Sequence, residues 1–327
     1  MKQLEEYIRA SQKQLFNMLF NQYEDACAVS NQYILVPGDA PVMLVAHLDT
    51  VHMERVKYIC RSNNGDILMS PQGIGGDDRC GVYALNAVYE RAAEKPWLLF
   101  TCDEEIGCIG ANTFCKHYDS GKIPHDLSVL KLIIEIDRKG ANDAVFYDCD
   151  NAEFEKYINS KGFVTSFGSF SDISYVAPAI GAAAVNLSSG YYNAHTQHEY
   201  IVKSELEHTI QRVIEIVNEA ASPEFPRYEY MDAYSYFEEW DQYNNEWWYK
   251  YNKGKEAEKS SGNDDLLLSH VPQLIRSEYR ALSSVYSIAD LEHMRKQLGD
   301  AAIIDLCRAE FGHDYYYSSG AFKNTST

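Results

Sequence analysis

The sequence predicts an α/β fold in which helices sandwich a mixed β-sheet, followed by a small, mainly helical C-terminal appendage. Residues 1 to about 220 alternate short apolar runs with helical patterns, which is typical of a sheet with covering helices. Several of these runs end in acidic or histidine residues, at the strand ends where open α/β sheets form their sites. Composition changes after Pro223 and Pro226, where the alternation stops.

The individual elements follow from the apolar runs and from the helical periodicity between them. An amphipathic helix is expected at the N-terminus. We predict strands near residues 32–36, 42–47, 55–60, 66–70, 97–102, 130–137, 144–148 and 181–187. We predict helices at 81–92, 108–118, 151–159 and 202–220, the first and last of which carry apolar stripes.

The C-terminal part has a different composition. Residues 228–251 are rich in tyrosine and tryptophan, 252–263 resemble a polar linker, and 264–286 and 287–311 have helical patterns. We therefore predict two regions, a catalytic-type domain at 1–222 and an aromatic-rich, mainly helical region at 223–327. The aromatic stripe could bind sugars or a partner protein, although packing against the first domain is the favoured interpretation.

Charge and cysteine content limit the partners and the compartment. The 327 residues include 48 acidic and 29 basic side chains, a net charge of −19 that argues against nucleic acid or an anionic membrane as a partner. No apolar run approaches the ~20 residues of a membrane span, and the N-terminus lacks a signal-peptide core. The eight cysteines form no CxxC pair. Cys102, Cys108 and Cys115 could be a metal triplet, but free thiols in a reducing cytoplasm are favoured, so we expect a cytoplasmic protein.

Acidic and histidine residues gather at five places along the chain. Glu104 and Glu105 close the apolar run 97–100, where two adjacent carboxylates are costly unless positive charge meets them. A helix N-terminus would also suit them. The other clusters occur at similar ends, and they are His47-Leu48-Asp49, Gly76-Asp77-Asp78, Glu135-Ile136-Asp137 and Asn193-Ala194-His195.

A donor set of histidines and carboxylates without thiolates suits two metal ions. A carboxylate shared by two ions about 3.5–4 Å apart is the centre of a co-catalytic site. Zinc fits these ligands, with cobalt or manganese as alternatives. In such a site one member of a Glu-Glu pair binds metal, while the other stays free to move a proton.

At residues 41–202 the chain resembles the superfamily of co-catalytic dizinc exopeptidases, which includes peptidase T-like tripeptidases, glutamyl aminopeptidases and succinyl-diaminopimelate desuccinylases. The resemblance is carried in order by Ala46-His47-Leu48-Asp49-Thr50-Val51, Gly76-Asp77-Asp78-Arg79-Cys80-Gly81, Asp103-Glu104-Glu105-Ile106-Gly107, Ile136-Asp137 and Asn193-Ala194-His195-Thr196. It reaches neither the first 30 residues nor the C-terminal third.

The resemblance implies a role for each matching residue. His47 and Asp137 would bind one metal, Glu105 and His195 the other, and Asp77 would bridge them. Asp49 would orient the imidazole of His47. Glu104 would be the general base and later the acid.

Several neighbouring residues compete for these roles or support them. Glu135 is a rival to Asp137, because alternation places both on one side of the strand, and His198 is a rival to His195. We assign structural or supporting roles to Asp78 and Asp172.

Many relatives insert a lid or dimerisation domain before the last ligand, but only residues 138–194 separate Asp137 from His195 here. That length leaves no room for such a domain. Tyr191 and Tyr192 could then donate a hydrogen bond to the oxyanion, with core packing as the alternative.

We expect a dizinc metallohydrolase that cleaves peptide or amide bonds, most readily an aminopeptidase-like exopeptidase on short peptides. An N-acyl amino acid deacylase with the same metals is the nearby alternative. A partner-binding protein without activity is a second alternative, although the intact Glu104 argues against it. Neither a Gly-x-Ser-x-Gly elbow nor a His-Glu-x-x-His helix is present, which disfavours serine hydrolases and the common single-zinc proteases. The sequence does not predict the oligomeric state.

Overall fold

The computed structural model describes residues 2–168 and 170–232, together with positions 282, 291 and 295. Seven α-helices are found there: α1 (Lys2–Arg9), α2 (Gln12–Gln22), α3 (Gly76–Arg91), α4 (Ile109–Asp119), α5 (Ala152–Ser160), α6 (Ile173–Ile180) and α7 (Lys203–Ala220). The same residues form twelve strands: β1 (Cys27–Val29), β2 (Tyr33–Val36), β3 (Val42–His47), β4 (Cys60–Arg61), β5 (Ile67–Met69), β6 (Trp97–Thr101), β7 (Leu132–Arg138), β8 (Asp143–Val145), β9 (Val164–Thr165), β10 (Ala184–Ser188), β11 (Tyr191–Tyr192) and β12 (Tyr200–Val202).

Eight of the strands form one mixed sheet with the order β1-β2-β6-β3-β7-β10-β8-β9. Its four central strands, β6, β3, β7 and β10, are parallel; β2 is antiparallel to β6, and β8 is antiparallel to β10. Helices α1, α2, α3, α5 and α7 pack on one face, while α4 and α6 pack on the other. The mixed sheet between helices is therefore confirmed. A second sheet has the order β11-β12-β5-β4.

The central strands are buried over almost their whole length, because helices cover both faces of the sheet. Their parallel register brings the carboxyl ends to one edge. His47 is paired with Thr101 at the end of β6, and Val45 is paired with Glu135 of β7. Residues that follow these strands consequently lie around one crevice.

Some predicted elements differ from the structure. Within the predicted strand 55–60 only Cys60 is in a strand, because the carbonyl groups of Val56 and Lys57 accept hydrogen bonds from Arg9 instead of a neighbouring strand. The predicted N-terminal helix is two helices, separated at Ser11, which caps α2 with Gln14 in a capping box.

Two further differences concern the second half of the chain. The strand predicted at 144–148 ends at Val145, where a turn closed by Cys149 N to Phe146 O begins. Helix α6 was not predicted from the sequence, since it is only eight residues long and contains Pro178.

The chain forms two compact units, residues 1–247 and 248–327. Residues 223–232 belong to the first unit, where Phe225, Tyr228 and Tyr230 pack against its core. The domain boundary predicted after residue 222 stays a prediction. The predicted linker and C-terminal helices lie outside the described residues, apart from three single positions.

The cysteines and the helices of the described residues concern two further predictions. All seven cysteines among the described residues are free, as expected for scattered thiols. No helix in the described part of the chain is long and apolar enough to cross a membrane. The cytoplasmic location stays a prediction.

Candidate metal centre

His47 ends strand β3 and its side chain is completely buried. Its Nδ1 lies 3.2 Å from Asp49 Oδ1, and its Nε2 lies 3.1 Å from Asp77 Oδ1. Asp49 also accepts hydrogen bonds from the backbone N–H groups of Glu104 and Glu105, each at 3.1 Å. Burial by itself raises the pKa of Asp49, but His47 and these N–H groups hold it below its ordinary value. An ionised Asp49 therefore accepts a hydrogen bond from the Nδ1–H group of His47, and Nε2 of the same imidazole faces Asp77.

Asp77 lies in the first turn of α3, after a glycine-rich loop in which Gly75 has a φ of 66°. A side chain at Gly76 would have no room, because its Cβ would lie 2.7 Å from that of Tyr191. The peptide bond between Asp77 and Asp78 is cis. Asp78 is buried and accepts hydrogen bonds from the backbone N–H groups of His47 and Gly81; its supporting role stays a prediction.

Glu104 and Glu105 follow β6, and Asp49 holds their backbone in place. Burial raises the pKa of Glu104 to about 7; the charge of His47 opposes this shift, whereas Asp172 and Glu105 add to it. A carboxyl group with this pKa can take up and release a proton near neutral pH. Glu105 differs, because its Oε2 lies 3.0 Å from His195 Nε2 and its buried Oε1 has no hydrogen-bond partner among the described residues.

Asp137 is the next-to-last residue of β7, and its Oδ2 lies 3.7 Å from His47 Nε2. Burial and the nearby Asp77 hold its pKa well above the ordinary value. The Tyr191 hydroxyl donates to Asp137 Oδ1 at 3.2 Å. Tyr192, the other expected oxyanion donor, instead donates to Glu205 at 2.6 Å and stacks on Tyr200.

Glu135, the rival of Asp137, is fully buried inside the sheet. Burial, then Asp172 and Asp137, hold its pKa well above the ordinary value. Among the described residues, Asp137 belongs to a possible metal-binding group and Glu135 does not.

His195 lies in the loop between β11 and β12 of the second sheet, with a φ of 63°. Its Nε2 is 3.2 Å from Asp77 Oδ2 and 3.0 Å from Glu105 Oε2. Its side chain is 55% exposed, so this position is open to solvent. The rival His198 is exposed and belongs to neither possible metal-binding group of the described residues.

The predicted ligands thus form two groups that share one carboxylate. His47, Asp77 and Asp137 offer ligand atoms within 4.8 Å of one another, and so do Asp77, Glu105 and His195. Asp77 directs Oδ1 toward the first group and Oδ2 toward the second. Each group joins one imidazole with two carboxylates, which suits Zn²⁺. The unpartnered Glu105 Oε1 gives the second group a further free ligand atom.

A cavity of about 250 Å³ opens beside these groups. Its walls combine carboxylates with two basic and three aromatic residues: Asp77, Glu104, Glu105, Asp137, Arg138, Lys139, Tyr147, Gly168, Phe170, Tyr191, Ala194 and His195. Glu104 lines the cavity and belongs to neither possible metal-binding group, so a small molecule bound there would meet the possible ligands and a carboxyl group that is not one of them.

One supporting residue was missed at the sequence level. Glu199 is fully buried, and its carboxylate accepts the N–H groups of Gly75 and Asp77, each at 2.9 Å. His52 Nε2 lies 2.7 Å from the same carboxylate. Glu199 therefore ties the segment that carries His195 to the loop that carries Asp77. Its only signal in the sequence is its place four residues after His195.

Asp172 is buried behind the site and accepts a hydrogen bond from Thr101. Burial raises its pKa to about 6, and the hydrogen bond from Thr101 opposes this shift. It is not part of either possible metal-binding group of the described residues, and its supporting role stays a prediction.

No protein-family model matches the chain, and no curated protein does either. Solved structures do match the chain. A tripeptidase from Staphylococcus aureus matches with 13% identity and a TM-score of 0.52, over 67% of this chain and 96% of the other. The aminopeptidase PepT from Bacillus cereus matches with 14% identity and a TM-score of 0.52, over 68% and 98%. A TET aminopeptidase from a Thaumarchaeota archaeon matches with 12% identity and a TM-score of 0.52, over 68% and 99%.

At these identities the likeness shows the fold alone, which this chain shares with the tripeptidase and the two aminopeptidases. The described residues between Asp137 and His195 add strands β8, β9, β10 and β11 to the two sheets and helices α5 and α6 beside them. They form no separate inserted domain, as the short spacing predicted.

Proposed function

We propose that this protein is a dizinc metallohydrolase that cleaves peptide bonds, acting as an aminopeptidase-like exopeptidase on short peptides. The observation that carries the proposal is the sharing of Asp77 between two groups of possible ligands. His47 and Asp137 would hold one ion and Glu105 and His195 the other, with Asp77 bridging. Zn²⁺ suits the ligands best, and Co²⁺ or Mn²⁺ would also fit them.

The repulsion among the carboxylates supports bound cations. Burial and neighbouring charges hold the pKa of Asp137 well above its ordinary value in the metal-free site. Divalent cations would remove this repulsion, so that all the carboxylates could be ionised together. In the metal-free protein burial lowers the pKa of His47, but Asp137, Asp49 and Asp77 raise it overall.

The positions of the residues support a role for each of them in this proposal. Bound divalent cations would polarise the scissile carbonyl group and lower the pKa of a water molecule. Glu104 would take a proton from the attacking water molecule and return it to the leaving amine. Asp49 fixes Glu104 through its backbone N–H and keeps the imidazole of His47 in the tautomer that binds metal.

The structures that share this fold support the choice of peptides, because they include a tripeptidase and aminopeptidases. The size of the cavity, about 250 Å³, suits a short substrate rather than a folded protein. An N-acyl amino acid deacylase would use the same residues. A panel of aminoacyl and N-acyl substrates separates the two activities.

The decisive variant is Glu104→Gln, measured together with the metal content. Elemental analysis of the purified protein should give two metal ions per chain in both the wild type and the variant. Peptide hydrolysis should fall by at least about a hundredfold in the variant, since a positioned general base contributes about 10²–10⁴-fold. Glu94→Gln, at an exposed glutamate outside the cavity, is the control. Unchanged turnover in Glu104→Gln would refute the mechanism.

A further inference from the structure

Two basic residues follow the ligand Asp137 directly and line the same cavity as the carboxylates. Arg138 is engaged, because its Nη2 donates to the carbonyl oxygen of Phe167 at 2.9 Å and its Nε lies 3.7 Å from Asp143. Lys139 is exposed, and its ammonium group has neither an ion pair nor a hydrogen bond with any described residue. An unpaired cation thus faces the cavity of a protein with a net charge of −19.

The backbone under Lys139 is held firmly. Ser189 N donates to Arg138 O at 2.7 Å, and the Ser188 hydroxyl donates to Lys139 O at 2.8 Å. Two further backbone hydrogen bonds hold this segment: Gly190 N donates to Gly140 O at 2.9 Å, and Gly140 N donates to Tyr191 O at 2.9 Å. The start of the lysine side chain is therefore fixed beside the metal ligands, while its ammonium group is free to meet a ligand.

The charge balance indicates what that ligand is. Four carboxylates line the cavity, and two divalent cations would balance their charge. With Arg138 engaged by Asp143, the charge of Lys139 then remains uncompensated. A carboxylate on the substrate would compensate it, whereas an ammonium group in the same place would be repelled.

We infer that Lys139 is a specificity-determining residue that binds a carboxylate of a short peptide substrate. This inference rests on the proposed peptidase function. The carboxylate is either the C-terminus of the peptide or an acidic side chain, and the experiment separates these two sources.

Three peptides provide the test. Tri-alanine has a terminal carboxylate, tri-alanine amide has none, and Ala-Glu-Ala amide has only a side-chain carboxylate. The wild type should have a kcat/KM at least about fivefold higher for a carboxylate-bearing peptide than for tri-alanine amide, mainly through KM. Preference for tri-alanine identifies the terminus, and preference for Ala-Glu-Ala amide identifies the side chain.

The variants assign that preference to Lys139. Lys139→Met should abolish it, and Lys139→Arg, which keeps the charge, should retain most of it. Lys122→Met, at an exposed lysine that does not line the cavity, should keep it completely. A preference that survives in Lys139→Met would overturn the inference, as would equal kcat/KM for all three peptides in the wild type.

A binding measurement separates this inference from the peptidase proposal. Calorimetry with metal-loaded Glu104→Gln should show the same preference among the three peptides, and the added Lys139→Met change should remove it. Binding with this preference but no hydrolysis by the wild type would refute the peptidase function and support the role of Lys139. Hydrolysis of all three peptides with no preference in either measurement would refute the role of Lys139 and leave the peptidase function standing.

Discussion

Asp49 connects the imidazole of His47 with the backbone of the Glu104–Glu105 pair, so the substitution Asp49→Asn tests how the proposed metal centre is held together. Asp49 Oδ1 accepts hydrogen bonds from His47 Nδ1 and Glu104 N, and Asp49 Oδ2 accepts one from Glu105 N. All three partners are hydrogen-bond donors. Asparagine offers one oxygen and one NH₂ group, so it cannot accept from all three.

Either orientation of the amide has a cost. With the oxygen in the place of Oδ1, the NH₂ group faces Glu105 N and one hydrogen bond is lost. With the amide reversed, the NH₂ group faces His47 Nδ1 and favours the tautomer that carries its proton on Nε2, where it blocks the metal. One unmade buried hydrogen bond costs about 1–3 kcal/mol. Loss of a residue that orients a ligand costs about 10–100-fold in metal affinity.

Competition between the protein and a chromogenic chelator measures the zinc affinity, and urea denaturation in the presence of chelator measures the stability. Asp49→Asn should bind the ion proposed at His47 and Asp137 about 10–100-fold less tightly and lose about 1–3 kcal/mol of unfolding free energy. Asp66→Asn is a matched control, because Asp66 accepts two hydrogen bonds from the exposed Ser204 and neither residue lines the cavity. Wild-type zinc affinity in Asp49→Asn would refute the proposed role of Asp49.

Two further predictions concern the surroundings of the ligands. Glu199→Gln leaves one oxygen to accept hydrogen bonds from the N–H groups of Gly75 and Asp77, so it should destabilise the protein by about 1–3 kcal/mol and weaken zinc binding. The control Glu207→Gln, at an exposed ion pair with Arg91, should cost about 1 kcal/mol or less. Equal losses of unfolding free energy in the two variants would contradict the role of Glu199. The stability of the metal-free protein should fall as pH rises from 4.5 to 7, because folding raises the pKa of Glu104 from 4.5 to about 7 and the folded state holds that proton more tightly. Thermal unfolding in chelator at pH 5 and 7 measures this fall; Glu104→Gln should reduce it, and an unchanged slope in that variant would contradict the assignment.

The central part of the fold could be predicted because its strands are buried on both faces. β3, β6 and β7 are continuous apolar runs, and their parallel arrangement brings the residues at their ends to one edge. The positions of His47 and Asp137 follow from this arrangement. The cost of two adjacent carboxylates at the end of a buried strand likewise points to Glu104 and Glu105 in the sequence.

The smaller elements could not be predicted, because their sequences carry little periodic signal. His195 was expected after a strand of the main sheet, but it lies in a hairpin whose strands are two and three residues long. Such strands are too short for an alternating pattern to appear. Helix α6 is apolar nearly throughout and contains Pro178, so neither its period nor its composition indicates a helix.

Glu199 shows the same limit for single residues. In the sequence it is an ordinary glutamate beside His198, and exposure is the usual state of glutamate. Its function arises from contacts across the chain, since the N–H groups that it accepts belong to residues 75 and 77. Only the fold brings this carboxylate to those groups, and no local pattern records it.

These contacts also explain how an exposed loop can hold the proposed ligand His195 in place. His195 is more than half exposed and comes from a short hairpin, which by itself would hold an imidazole poorly. Glu199, in the same segment, is anchored to the backbone of Asp77, and Asp77 reaches both imidazoles through its two oxygens. The position of His195 is therefore set by the residue that joins both groups of ligands. A disturbance of the Asp77 loop should consequently affect both proposed metal positions, even when the substituted residue contacts neither ion.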